Sequence, residues 1–226
     1  MTVSNDFKEM LEKRFGSSEE LDPPVHNARR VNVQGIRCVA KLINYALGEN
    51  TDVFNRRRKA GFAMEKYAYR NLTCLPVSLV ETFSSRSGQT FGHVVVTTEY
   101  PNNSWSEYKN SDETIARRLI FQVKAIHQAG IAHGDLLLKN ILFQPPHGVA
   151  IIDFEKSMRC KPGADSQQLD WWCLIETLLF NSNTRGIAFC ILRGLPDSLA
   201  KKVFAQALEN LSRYPREQIN YEQESS

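Results

Sequence analysis

Apolar residues return at helical spacing at Phe7, Met10, Leu11 and Phe15, which predicts an amphipathic helix over residues 5–15 with Gly16 as its stop. Residues 17–24 are polar and carry prolines, so they read as a connection. Residues 25–33 and 36–42 follow as strand patterns joined by a turn at Gln34 and Gly35. A long helical pattern covers residues 51–72, with Phe54, Phe62, Met64, Tyr67 and Leu72 expected on its inner face and Glu65 in its second half. Two more strands are expected over residues 77–83 and 93–100, joined through turn chemistry at residues 84–88. Ser111 reads as an N-cap, with Asp112 and Glu113 in the first turn, where the helix dipole favours negative charge. Ile115, Leu119, Val123 and Ile126 mark one face of that helix, and Gly130 ends it. Ile141, Leu142 and Phe143 read as a strand, residues 144–148 as a turn and residues 149–152 as the returning strand. Residues 169–180 form a strongly apolar helix containing Asp170. Pro196 and Asp197 open a last amphipathic one with Leu199, Val203, Phe204, Leu208 and Leu211, and from Pro215 the chain is polar. No internal repeat is visible.

Composition narrows the class. A chain of 226 residues can bury a core, as one domain of two lobes or as two small domains. Its 42% hydrophobic content and mean hydropathy of −0.36 are those of soluble globular proteins. No apolar run has the length of a membrane span, and residues 1–16 lack the core of a signal peptide. The formal charge of +3 permits an anionic ligand and leaves nucleic acid open without requiring it. The five cysteines, Cys38, Cys74, Cys160, Cys173 and Cys190, are scattered and form no CxxC pair, which points away from a disulfide framework or zinc site. A reducing, cytoplasmic location is therefore the expectation.

The chemistry concentrates in residues 131–157, IAHGDLLLKNILFQPPHGVAIIDFEKS. Asp135 and Asn140 lie five apart on one loop, and a hairpin separates Asn140 from Asp153. A hairpin brings its ends together, so two carboxylates and an amide are expected to converge. Hard cations take such oxygen ligands, which suits a divalent metal bound to phosphate oxygens. One aspartate would be left to hold a hydroxyl nucleophile, the division of labour that phosphoryl transfer needs.

These residues resemble the protein-kinase-like superfamily. His133-Gly134-Asp135 with Asn140 is similar to its catalytic loop, and Asp153-Phe154-Glu155 to its metal-binding Asp-Phe-Gly motif with the glycine replaced. The His-Gly-Asp form is closer to atypical kinases, lipopolysaccharide kinases and aminoglycoside phosphotransferases than to regulated protein kinases. The resemblance implies a compact bilobal α+β kinase-like fold with a truncated C-lobe: one domain over residues 1–226, an N-lobe to about residue 100, a C-lobe over about 101–214 and a polar tail over 215–226. It implies ATP and Mg (or Mn) as cofactors, with Asp135 and Lys139 catalytic and Asn140 and Asp153 on metal. It also implies Lys41 on the nucleotide phosphates, Glu65 orienting Lys41, backbone groups of Glu99 and Tyr100 on adenine, and Thr98 at the back of the pocket. Asp170 would brace the catalytic loop, a plain N-cap being its other reading, and His133 would support the loop as a buried histidine. Partners implied are nucleotide and a hydroxyl-bearing protein or small molecule, with a protein complex open, since some small kinases of this outline work in one.

Several departures matter. No GxGxxG precedes Lys41, and only Gly16 and Gly35 stand before it. Between Glu155 and Asp170 there is room for only a short activation segment, without Ala-Pro-Glu. Glu155 adds a negative charge beside Asp153 at a place where glycine lets the chain turn freely, and is expected to make nucleotide binding depend strongly on metal. A nucleotide- or partner-binding pseudokinase without turnover, and a sugar- or aminoglycoside-type kinase, stay open beside a protein kinase. The run Arg56-Arg57-Arg58-Lys59 reads as a solvated helix face or a contact to phosphates or an acidic partner. Trp171 and Trp172 read as packing residues.

Overall fold

The computed structural model of the chain describes residues 2–25, 27–46, 51–87, 90–101, 112–144 and 148–213. The expected N-cap at Ser111, the turn residues Gly88 and 145–147, and the polar tail from Pro215 lie outside the described residues, as does the side chain of Leu211. The chain divides into two units, one of Met1–Tyr100 with Asp153–Ser157, the other of Pro101–Ile152 with Met158–Ser226.

The first unit is a helix-backed antiparallel sheet. Helix α1 spans Thr2–Phe15 and ends at Gly16, whose positive φ of 83° accommodates the left-handed C-terminal turn and whose N–H returns to the Glu12 carbonyl at 2.8 Å. Phe7 and Leu11 are fully buried against Val31, Cys38, Ala40, Leu42, Val94 and Val96 of the sheet, with Met10, Phe15, Val33, Val80 and Phe83 around them. The sheet has five strands in the order β1-β2-β3-β5-β4, with β1 Glu19–Val25, β2 Ala28–Val33, β3 Ile36–Asn44, β4 Leu79–Ser87 and β5 Thr90–Thr98. Gln34 and Gly35, both at positive φ, turn β2 into β3, as the sequence indicates.

Two expectations here are corrected. Residues 19–25 form strand β1, not a connection, because an edge strand tolerates prolines and the pairing is supported by charge: Glu19 and Glu20 lie opposite Arg30 and Arg29. Ser84 to Ser87 continue β4 opposite His93 to Thr90 instead of forming a turn, and β5 stops at Thr98, leaving Glu99 and Tyr100 beyond the strand.

Helix α2 runs over Asp52–Asn71. Its buried residues are Gly61, Glu65, Ala68 and Tyr69; of those expected on the inner face Leu72 is buried, just past the helix end, Phe62, Met64 and Tyr67 are partly buried, and Phe54 is exposed. The small side chains at 61 and 68 permit close approach, and the short helical turn Phe154–Lys156 packs there.

The second unit is mostly helical. Helix α3, Asp112–Gln128, buries Ile115, Leu119, Val123 and Ile126 and stops before Gly130 at φ 71°. Strand β6, Ile131–Ala132, pairs with β9, Met158–Arg159, and β7, Ile141–Gln144, pairs with β8, Gly148–Ile151. Buried Gln122 of α3 pins that hairpin, donating to the Val149 carbonyl at 2.9 Å and accepting from the Ile151 N–H at 3.1 Å. Helices α4, Asp165–Phe180, α5, Arg185–Gly194, and α6, Asp197–Arg213, complete the unit. The sequence analysis missed α5, a helix of 10 residues whose inward side is only Ile187, Ala188 and Ile191. No helix among the described residues is long and apolar enough to cross a membrane.

Candidate functional site

In the second unit the loop after β6 is organised from beneath by one buried carboxylate. Asp170, mid-helix in α4 and 1% exposed, accepts the His133 N–H at 2.7 Å on Oδ2 and the Gly134 N–H at 2.8 Å on Oδ1. His127 of α3 turns its Nε2 to Oδ2 at 2.9 Å. This excludes the N-cap reading. A desolvated carboxylate is stable in such a place only because donors surround it. Gly134 at φ 77° lets two successive N–H groups point the same way. The His133 ring is fully buried, with Nε2 3.0 Å from the Ile152 carbonyl and Nδ1 accepting from the Asp135 N–H at 3.2 Å. That bonding places the proton on Nε2.

Asp135 and Asn140 are joined on this base. The Asn140 amide nitrogen donates to the Asp135 backbone carbonyl at 2.8 Å and to its carboxylate Oδ2 at 3.1 Å. Both amide hydrogens are thereby directed at Asp135, so Oδ1 is the side-chain atom of Asn140 suited to a cation. The Ile152 N–H returns to the Asn140 carbonyl at 3.0 Å, extending the pairing of β7 and β8 by one bond. Lys139 is mostly exposed, with Nζ 3.9 Å from Asp135 Oδ2.

In the first unit a charge cluster gathers around Lys41 of β3. Its Nζ lies 3.2 Å from Glu65 Oε2, 2.6 Å from Asp153 Oδ1 and 3.5 Å from Glu155 Oε2. Glu65, Asp153 and Glu155 each offer a carboxylate oxygen, all within 4.8 Å of one another, a hard donor set that fits a divalent cation. Burial opposes the Lys41 ammonium, but Glu65 and Asp153 outweigh it and hold its pKa above the ordinary value. Burial pushes the Glu65 carboxyl up to about 7, against the pull of Lys41. Asp153 is one of two non-glycine residues with positive φ among those described, at 67°. Its N–H donates to the Tyr69 hydroxyl at 3.2 Å, and burial raises that phenol well above its usual pKa. A left-handed aspartate persists only where its surroundings hold it there.

Glu155 neither faces solvent nor needs the freedom of glycine. It lies in the short helical turn Phe154–Lys156 with negative φ, and its carboxylate pairs with Arg58 of α2. Arg58 was read only as one member of a basic run, and Gly61 was not singled out, although a glycine in the middle of a 20-residue helix is a signal. Glu99 accepts from Arg30 at 2.7 Å and pairs with Arg37 at 3.0 Å, while its N–H donates to the Arg37 carbonyl at 2.9 Å. Thr98 Oγ1 accepts from the Ser78 N–H at 2.9 Å, and Tyr100 is half-buried. The turn between β1 and β2, where a glycine loop was missing, is tied to β3 through Asn27, whose carbonyl accepts the Leu42 N–H at 2.7 Å and whose amide donates to the Leu42 carbonyl at 3.3 Å.

Residues 102–187 match the family model of the lipopolysaccharide kinase (Kdo/WaaP) family, a stretch containing His133, Asp135, Asn140, Asp153 and Asp170. No curated protein matches in sequence. Among solved structures, the crystal structure of WbdD superposes with a TM-score of 0.50 at 12% identity, covering 83% of this chain and 45% of that one. A co-crystal structure of WbdD with the kinase inhibitor LY294002 gives 0.48 at 12% identity, over 85% and 47%. A structure described as the bifunctional kinase-methyltransferase WbdD gives 0.49 at 13%, over 81% and 43%. This chain spans about half the length of those it matches, 45% of the first. The fold is therefore a kinase-like α+β fold.

Proposed function

We propose that the chain is an Mg-ATP-dependent phosphotransferase acting on a hydroxyl acceptor. The observation that carries the reading is the loop braced by Asp170. Its buried carboxylate fixes two successive backbone N–H groups beside Asp135, and Asn140 donates both ways to Asp135 at 2.8 and 3.1 Å. A general base must be held in place before it helps, and this loop is over-determined by hydrogen bonds. Asp135 orients the acceptor hydroxyl and takes its proton. Asn140 presents its amide oxygen, and Asp153 its carboxylate, to the metal of the nucleotide. Lys41, kept charged by Glu65, meets the phosphates, and Lys139 offsets charge near Asp135. Backbone groups of Glu99 and Tyr100 receive adenine. A divalent ion, when bound, supplies positive charge to the phosphate oxygens. The match to a lipopolysaccharide kinase family favours a saccharide hydroxyl over a protein hydroxyl as acceptor.

A pseudokinase is the second reading. It is favoured by the 2.6 Å contact of Lys41 with Asp153, which must loosen before Asp153 can serve a metal. ATP turnover with Mg or Mn, measured with and without saccharide, lipid and protein acceptors, separates the two. Acceptor-dependent turnover is expected. Nucleotide binding without turnover on any acceptor would favour the pseudokinase.

A further inference from the structure

Helix α2 carries a glycine, Gly61, four residues before Glu65, although glycine in mid-helix is less favourable than alanine. The position has a steric use. A Cβ at 61 would lie 2.7 Å from both the Cγ and the carbonyl oxygen of Glu155, one of them backbone, which cannot step aside cheaply. One turn earlier on the same helix, Arg58 pairs with the Glu155 carboxylate, whose other oxygen lies 3.5 Å from Lys41 Nζ. Arg58 also lies over the Phe54 ring, its guanidinium carbon 5.4 Å from the centroid. The turn Phe154–Lys156 thus seats its middle residue in a notch cut into the helix that presents Glu65.

We infer that Glu155 is a positioning residue. Seated over Gly61 and tied to Arg58, it holds α2 against the segment following Asp153 and so keeps Glu65 within reach of Lys41. The inference rests on the phosphotransferase reading for its consequence, not for its geometry. The acid stands in the loop and the glycine in the helix. A contact of this kind fixes the helix from within the chain and requires no long activation segment.

Hydrogen exchange of α2 amides in the nucleotide-free protein tests the geometry, and steady-state kinetics test its consequence. Glu155→Gln and Gly61→Ala should each speed exchange in α2 by about tenfold while leaving β3 and β5 unchanged, since opening becomes local and the lost contact is charge-assisted. Arg58→Gln should do the same, and Arg58→Lys should restore slow exchange, because the pair needs only one donor. Turnover in these variants should fall by roughly tenfold in kcat with little change in KM for ATP, as expected when a group acts in the transition state through another residue. Unchanged α2 exchange in both Glu155→Gln and Gly61→Ala would overturn the inference. A wild type without turnover but with the exchange pattern intact would uphold the contact and remove only the phosphotransferase reading.

Discussion

Asp170 and Glu65 are both buried carboxylates, and their surroundings treat them in opposite ways. Asp170 receives two backbone N–H groups and faces His127. Asp170→Ala would orphan the two backbone donors, at about 1–3 kcal/mol each, so a loss of roughly 2–6 kcal/mol is expected in denaturant unfolding. Asp170→Asn keeps an acceptor for only one of the two N–H groups. It should be milder in stability but still slow turnover. Glu65 has one cation nearby and heavy burial, which raises its carboxyl to about 7. Between pH 4.5 and 7 the folded metal-free protein therefore holds a proton on Glu65 that the unfolded chain has released. Its contribution is present below pH 4.5 and is lost as pH rises through 7, so it makes stability fall over that window. Glu65→Gln should flatten the fall, as read from urea midpoints across the range; an unaltered slope would place the titration elsewhere. A double-mutant cycle on Lys41 and Glu65 should show coupling in ATP turnover, whereas strict additivity would argue against their pairing in the working state.

At the scale of elements, the periodic ones were legible in the sequence and the crowded ones were not. Phe7, Met10, Leu11 and Phe15 announced α1, and the buried pair Phe7 and Leu11 occupies the face expected of them. Leu11→Ala should cost about 2–5 kcal/mol, since the side chain is fully enclosed against the sheet, and thermal unfolding would report it. The Gln34-Gly35 turn and the β7–β8 hairpin were equally readable, because turn residues and alternation are local signals. Strand β1 was hidden behind its prolines, and its pairing places Glu19 and Glu20 opposite Arg30 and Arg29, further along the chain. The inner face of α2 was misjudged because bulk was taken as the guide. What packs there is Gly61, Glu65, Ala68 and Tyr69, set against a neighbouring turn that sequence spacing does not reveal. Spacing and resemblance singled out Asp135 and Asn140, which the structure joins by hydrogen bonds. Arg58 was not singled out, since one arginine in a basic run gives no sign of which member will find a carboxylate.

For the whole molecule, a kinase-like fold is joined to a net charge of +3, while Lys41, held in its charged form, faces three carboxylates. Metal removal should weaken ATP binding by on the order of tenfold or more, read by titration calorimetry with and without chelator, because the carboxylates near Lys41 would otherwise repel the bare phosphates. Glu155 belongs to that carboxylate set and also pairs with Arg58 and Lys41, so Glu155→Gln should weaken the metal dependence as well as loosen α2. Acceptor choice is not set by the fold.

The central claim is that Asp135 is the carboxylate that orients the acceptor hydroxyl, and the most direct measurement is turnover by Asp135→Asn alongside ATP affinity. The account expects phosphoryl transfer to slow by about 10²–10⁴-fold with nucleotide binding and folding preserved. Turnover equal to the wild type in that variant would contradict it.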